Sequence, residues 1–267
     1  MDPNIAYENA AFIADAADYP GQWERAARAW RQVEHEVGRA KLNQAYGDDP
    51  RQRFDLFYPA GRPEGLLIFI HGGFWRAFGR SDWSHLAAGA TARGWAVAMP
   101  SYRLSPQVRI AEITRDIALA VTAAVQMVAG PVVLCGHSAG GHLCARMICP
   151  DVSLPAAVSR RIARVVPISP LSDLRPLMAL EMNDDLRLDM AEALAESLVL
   201  CVPHRDVAVT VWVGAEERPA FLDQATWLEQ AWEKAQLHVA PGRHHFDVIE
   251  ELAEPDSPLL AAILGPT

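Results

Sequence analysis

Apolar positions along the chain recur with two different periods. Over about residues 22–42, Trp23, Ala26, Ala27, Trp30, Val33 and Val37 return at helical spacing with Arg and Glu between them, which predicts an amphipathic helix. Asp55 and Phe57 then alternate as a strand would. Short, continuous apolar runs follow at 66–70, 95–99, 132–135, 165–168, 209–213 and 237–239. Helical patterns lie between most of them, at 83–93, 110–128, 139–148 and 221–234. Wholly apolar strands alternating with helices predict βαβ units. The expected class is α/β, with a mostly parallel central sheet and helices on both faces. No repeat and no Gly/Ser linker interrupts the pattern, so 1–267 is expected as one domain with an N-terminal helical extension over about 1–45. The less regular stretch 173–201, punctuated by Asn183-Asp184-Asp185, is expected as a small cap insertion over the top edge of the sheet.

The length of 267 residues and the 51% hydrophobic content allow one sizeable core. A net charge of -9 argues against nucleic acid, whose phosphates would want a basic face. The stretch 117–135 is almost wholly apolar, but Thr122, Gln126 and Gly130-Pro131 divide it into a helix, a turn and a strand. A membrane span needs roughly 20 uninterrupted apolar residues. The start Met1-Asp2-Pro3-Asn4 has neither the basic nor the apolar region of a signal peptide, so none is expected. Cys135, Cys144, Cys149 and Cys201 form no CxxC pair and read as small buried hydrophobes rather than a disulfide framework, which fits a reducing, cytoplasmic setting. The expected partner is a small-molecule substrate, with a homodimer left open and neither nucleic acid nor membrane expected.

Candidate chemistry is concentrated at three loops. Gly136-His137-Ser138-Ala139-Gly140 stands between the apolar run 131–135 and a helical pattern. This G-x-S-x-G arrangement holds a serine on a sharp strand-to-helix turn, with its hydroxyl raised above the sheet. A serine hydroxyl needs a general base, and the base needs an orienting acid. The chain order expected for this arrangement is Ser, then Asp or Glu, then His. After the last strand pattern come His244 and His245. His245 is the preferred base, because Phe246 and the helical stretch containing Val248, Ile249 and Leu252 fix its position, and His244 remains the alternative. After the run 209–213 come Glu216 and Glu217; Glu217, late in that loop and just ahead of Pro219, is the preferred acid. Asp206 and Asp223 are weaker candidates, one preceding the strand and the other on the helix. The third loop, His71-Gly72-Gly73-Phe74-Trp75, follows the run 66–70. A metal site built from His71, His137 and His142 is set aside, because the glycine spacing already has a catalytic explanation.

Together, His71-Gly72-Gly73-Phe74-Trp75, the elbow from Gly136 to His142 and the tail His244-His245-Phe246 resemble α/β-hydrolases of the kynurenine formamidase (arylformamidase) type. The resemblance extends to Tyr7-Glu8-Asn9, to residues 55–59, to Ser101-Tyr102-Arg103-Leu104 and to residues 169–174. It implies the α/β-hydrolase fold and a serine hydrolase without metal or cofactor. Ser138 would be the nucleophile, His245 the base and Glu217 the acid, where the family usually has Asp. The backbone N–H groups of Gly73, Phe74 and Ala139 would form the oxyanion hole. Phe74 and Trp75 are the substrate-pocket candidates, closing a small acyl site. Tyr102 and Asn183 are further candidates for the cleft wall, whereas Trp23, Trp30 and Trp232 are expected in the core. His71 is expected to order its loop rather than perform chemistry. The implied activity is arylformamidase action on N-formylkynurenine in tryptophan catabolism. A carboxylesterase or thioesterase uses the same triad, and a non-catalytic binding module on the same fold is a third reading.

Overall fold

The computed structural model describes residues 2–203 and 207–265. Within these residues eight strands form one sheet: β1 (Ala40–Ala45), β2 (Arg53–Phe57), β3 (Leu66–Ile70), β4 (Ala96–Pro100), β5 (Val132–His137), β6 (Ile162–Ile168), β7 (Ala208–Gly214) and β8 (Ala235–Ala240). Their order is β1-β2-β4-β3-β5-β6-β7-β8. β1–β2 and β2–β4 pair antiparallel, and every other neighbouring pair is parallel. The continuous apolar runs are explained by burial on both faces. In β3, Leu66, Ile68 and Ile70 enter one core while Leu67 and Phe69 enter the other. A strand covered on one side only would have had to alternate with polar residues.

Among the described residues ten helices surround the sheet: α1 (Pro3–Tyr7), α2 (Tyr19–Glu36), α3 (Ala88–Ala92), α4 (Ile110–Met127), α5 (Ala139–Arg146), α6 (Ala156–Ser159), α7 (Asn183–Leu186), α8 (Met190–Glu196), α9 (Pro219–Ala231) and α10 (Pro258–Leu264). Buried residues of α4, α5 and α9 share the first core, and those of α2 and α10 share the second. Among the described residues no helix is long and apolar enough to cross a membrane.

Three expectations are corrected by the structure. The N-terminal stretch 1–45 is not helical throughout. α2 stops at Glu36, Gly38 takes the left-handed φ of +73°, and Ala40–Ala45 turns back as edge strand β1. The buried stripe of α2 runs through Trp23, Ala27 and Glu34, so Val33, one step off it, stays about half exposed, as does Val37, the C-cap residue past the helix end. The expected helix over 83–93 is a 3₁₀ turn (Ser84–Ala87) followed by the five-residue α3. The cysteines are not all isolated hydrophobes either. Cys149 and Cys201 form a disulfide across a Cα–Cα distance of 6.2 Å, while Cys135 and Cys144 are buried and free. The pairing removes the cysteine-based argument for a reducing compartment.

The stretch 173–201 is a chain of short helical turns, including α7 and α8. Buried acids tie it down: Glu192 accepts from Arg109 at 2.7 Å, and Glu196 accepts from Thr114 at 2.8 Å and from Arg146 at 3.0 Å.

Candidate active site

Ser138 caps β5 at the point where α5 begins, with φ 55° and ψ -118°. A non-glycine residue adopts positive φ only when its surroundings enforce it. Here Ser138 donates its N–H to the Ile168 carbonyl at 2.8 Å, and its own carbonyl accepts from His142 N–H at 3.1 Å. The elbow also packs hard against the end of β3. A Cβ on Gly140 would lie 2.0 Å from the Ile70 carbonyl oxygen, so only glycine fits there. The loop leaving β3 runs close beside Ser138: a Cβ on Gly72 would lie 3.1 Å from the Ser138 Cβ. Gly73, Phe74 and Trp75 follow with φ of +107°, +47° and +57°. Two bulky residues in the left-handed region mark this loop as strained.

β7 delivers the acid and the loop after β8 delivers the histidine. Glu217 is buried, and its Oε2 lies 2.6 Å from His245 Nδ1. Its Oε1 accepts the Gly214 N–H at 2.9 Å and the Ser169 hydroxyl. Donation from Nδ1 to the carboxylate leaves His245 Nε2 as the lone-pair nitrogen. The imidazole packs against Phe221 and His137, with ring centroids 4.2 and 4.6 Å apart. Glu216, by contrast, is exposed. His244 is engaged elsewhere: its Nε2 meets the Tyr19 hydroxyl at 3.2 Å, and its Nδ1 accepts the N–H groups of Phe246 and Asp247 at 3.2 Å. Asp223 sits on α9 and Asp206 lies outside the described residues.

Ser138 and His245 open into the same cleft, of about 760 Å³, together with Gly72, Gly73, Phe74 and His137. Phe74 contributes to that wall, with its ring 6.4 Å from Phe221. Trp75 does not line the cleft. The positive-φ turn sends its indole into the core, fully buried and edge-on to His142 at 5.3 Å. Tyr102 is also removed from the wall: it stacks on His71 at 4.4 Å and donates its hydroxyl to the His71 carbonyl at 2.9 Å. Asn183 is used within its own segment, accepting from Leu188 N–H at 2.8 Å. Trp23 is in the core as expected, and it lines the cleft as well. Sequence reasoning missed Ser169, whose left-handed φ of 47° brings its hydroxyl to Glu217. It also missed the wall contributed by Tyr7 and Asn9. The signal was there in part, since both lie in short stretches of family resemblance that carry no catalytic residue.

Three buried histidines near the elbow are held neutral. Burial lowers His71 and His142 to about 3 each. Burial, and then the nearby His245, push His137 well below the usual range. His71 faces the Gly72 carbonyl at 2.8 Å, and His142 Nε2 faces the Glu196 carbonyl at 2.9 Å. Both therefore brace backbone around the site.

A serine on a strained elbow, an imidazole on a carboxylate and a glycine loop above a parallel sheet define a hydrolase architecture. Residues 67–266 match the alpha/beta hydrolase family, and the chain belongs to that family. Within it the chain is of the kynurenine formamidase type and is a hydrolase. It is 30% identical to the kynurenine formamidase of Drosophila melanogaster, over 79% of this chain and 76% of that protein. It is 26% identical to the kynurenine formamidase of Salmo salar, over 84% of this chain and 80% of that one. Among solved structures, it is similar to a protein of Silicibacter sp. TM1040 provisionally assigned as a thioesterase. That protein is 56% identical, with a TM-score of 0.95, over 98% of this chain and 99% of the other.

Proposed function

We propose that the protein is a serine hydrolase that removes the formyl group from an aryl formamide such as N-formylkynurenine. Ser138 is the nucleophile, His245 the general base and Glu217 the orienting acid. The observation that carries this reading is the 2.6 Å contact of Glu217 with His245 Nδ1, in a cleft that His245 shares with Ser138. His245 Nε2 takes the Ser138 hydroxyl proton as Oγ bonds to the formyl carbon. The oxyanion is met by Ala139 N–H, which as the first residue of α5 has no acceptor within the helix, and by the N–H groups of Gly73 and Phe74. As the C–N bond breaks, His245 returns the proton to the departing amine. Water, activated by the same imidazole, then releases formate from the formyl-serine.

Phe74 on the cleft wall, where esterases with an H-G-G-G loop have a third glycine, supports a small acyl group. The two formamidase relatives, each matched over about four-fifths of their length, support the amide substrate. The 56% identical neighbour favours a second reading, thioester or ester hydrolysis by the same three residues. The deciding measurement is kcat/KM for N-formylkynurenine against short p-nitrophenyl esters and short acyl thioesters. Formamide cleavage is expected to dominate. Ester or thioester turnover with no detectable formamide cleavage would overturn the first reading in favour of the second.

A further inference from the structure

The cleft has a wall built by the first residues of the chain, which belongs to neither the elbow nor the glycine loop. Asn4, Tyr7 and Asn9 all line it. The segment is fastened on two sides. Asn4 Oδ1 accepts from Glu181 N–H at 2.8 Å, and the Tyr7 hydroxyl accepts from Gln224 Nε2 at 3.0 Å. The Tyr7 ring lies edge-on to Phe221 at 5.8 Å, and Phe221 in turn touches both His245 and Phe74. Asn9 is therefore anchored two residues from a ring that is a single aromatic away from the imidazole.

Asn9 is 6% exposed, and its Oδ1 is buried without a hydrogen-bond partner among the described residues. A buried acceptor left unsatisfied is destabilising, and native structures avoid it unless a ligand or function uses it. Other buried polar atoms of cleft-lining residues share this state: Nε1 of Trp23, Nε1 of Trp83 and Nε2 of His137. The indole nitrogens can only donate, and a carboxamide oxygen can only accept. The complement of Asn9 Oδ1 is thus a donor on the ligand. A formamide carries an N–H on its leaving group through the whole reaction, whereas the leaving oxygen of an aryl ester and the sulfur of a thioester carry no hydrogen until they depart.

We propose that Asn9 is a specificity-determining residue whose Oδ1 accepts a hydrogen bond from the N–H of the departing arylamine, so that the cleft selects aryl formamides over the matching esters and thioesters. This rests on the formamide reading above. A site built to hydrogen-bond a substrate N–H rejects the analogue lacking it, because its own buried group is then left unpaired.

Two measurements on the whole chain test it, with Asn9→Ala and the near-isosteric Asn9→Leu as a pair in case one fails to fold. The first is kcat/KM for an aryl formamide against the aryl formate with the same ring. The expected result is a loss of about 10- to 100-fold for the formamide and less than about 3-fold for the ester. The second is calorimetric binding of an arylamine and of its N,N-dimethyl analogue, which has no N–H. The arylamine is expected to weaken by about tenfold or more and the dimethyl compound to change less than about twofold. Equal losses for both members of a pair would overturn the proposal by making Asn9 merely structural, and so would an unchanged preference. Because the binding arm needs no turnover, it still decides the role of Asn9 if the wild-type protein cleaves no formamide.

Discussion

The Glu217 carboxylate bonds His245 with one oxygen, at 2.6 Å, and with the other accepts the N–H of Gly214, three residues back along its own loop. The loop itself is pinned, since Glu216 N–H donates to the Arg243 carbonyl at 2.9 Å, beside the histidine it must meet. Glutamate's extra methylene is accommodated because the side chain curls back over the strand end. Replacing Glu217 by Gln keeps this shape but disfavours the Nδ1–H tautomer and withdraws the charge that stabilises imidazolium. Glu217→Gln is expected to lower kcat by about 10³- to 10⁴-fold, while Glu216→Gln, at an exposed position, stays within about twofold. The reverse order in steady-state kinetics would move the acid by one residue.

Ser138→Ala is expected to abolish turnover to the level of the oxyanion hole acting alone, and to abolish covalent labelling by an organophosphate or sulfonyl fluoride. Mass spectrometry of the intact chain reads the second effect directly. Labelling that survives the substitution would remove Ser138 from the mechanism.

Much of this arrangement was legible in the sequence. β3 is bounded in the structure by the residues the apolar run predicted, and the glycines of the elbow announced a turn too tight for any Cβ. What was not legible depended on tertiary direction rather than on local pattern. β1 reads Ala-Lys-Leu-Asn-Gln-Ala, and as a half-exposed edge strand it has no apolar run to report. Phe74 and Trp75 are neighbours of like chemistry, yet successive positive φ values send one to the cleft and the other to the core. Cys149 and Cys201 are separated by 52 positions, and only the path of the intervening chain brings them together. Asn9 is invisible for the same reason, because its significance is the missing partner of one atom.

Ser169 is expected to be a positioning residue. Its hydroxyl donates to the Glu217 oxygen that does not face His245. Ser169→Ala leaves the Gly214 N–H as the remaining donor described at that oxygen. Hydrogen bonds to charged groups are the stronger class, so kcat is expected to fall by about 10- to 100-fold. KM should change little, since Ser169 is absent from the cleft wall. A matched rise in KM with kcat unchanged would show that Ser169 acts on substrate binding instead.

Buried neutral histidines make the fold less stable in mild acid. His71 and His142 are held near 3 by burial, and His137 is also held well below the usual range. In the unfolded chain each would titrate near 6.5. Above that value both states are neutral and the histidines make no pH-dependent contribution. Between about 6.5 and 3 the unfolded chain binds protons that the folded chain excludes, so stability falls as pH falls, by at most about 1.4 kcal/mol per pH unit for each histidine. Urea unfolding followed by tryptophan fluorescence at pH 7.5 and 5.5 is expected to show a lower midpoint at the lower pH. His142→Gln keeps a side-chain donor for the Glu196 carbonyl but cannot titrate. Whatever it costs at pH 7.5, it should flatten the decline by about one histidine's share. A decline as steep as in the wild-type chain would mean that His142 is protonated in the folded state across this range.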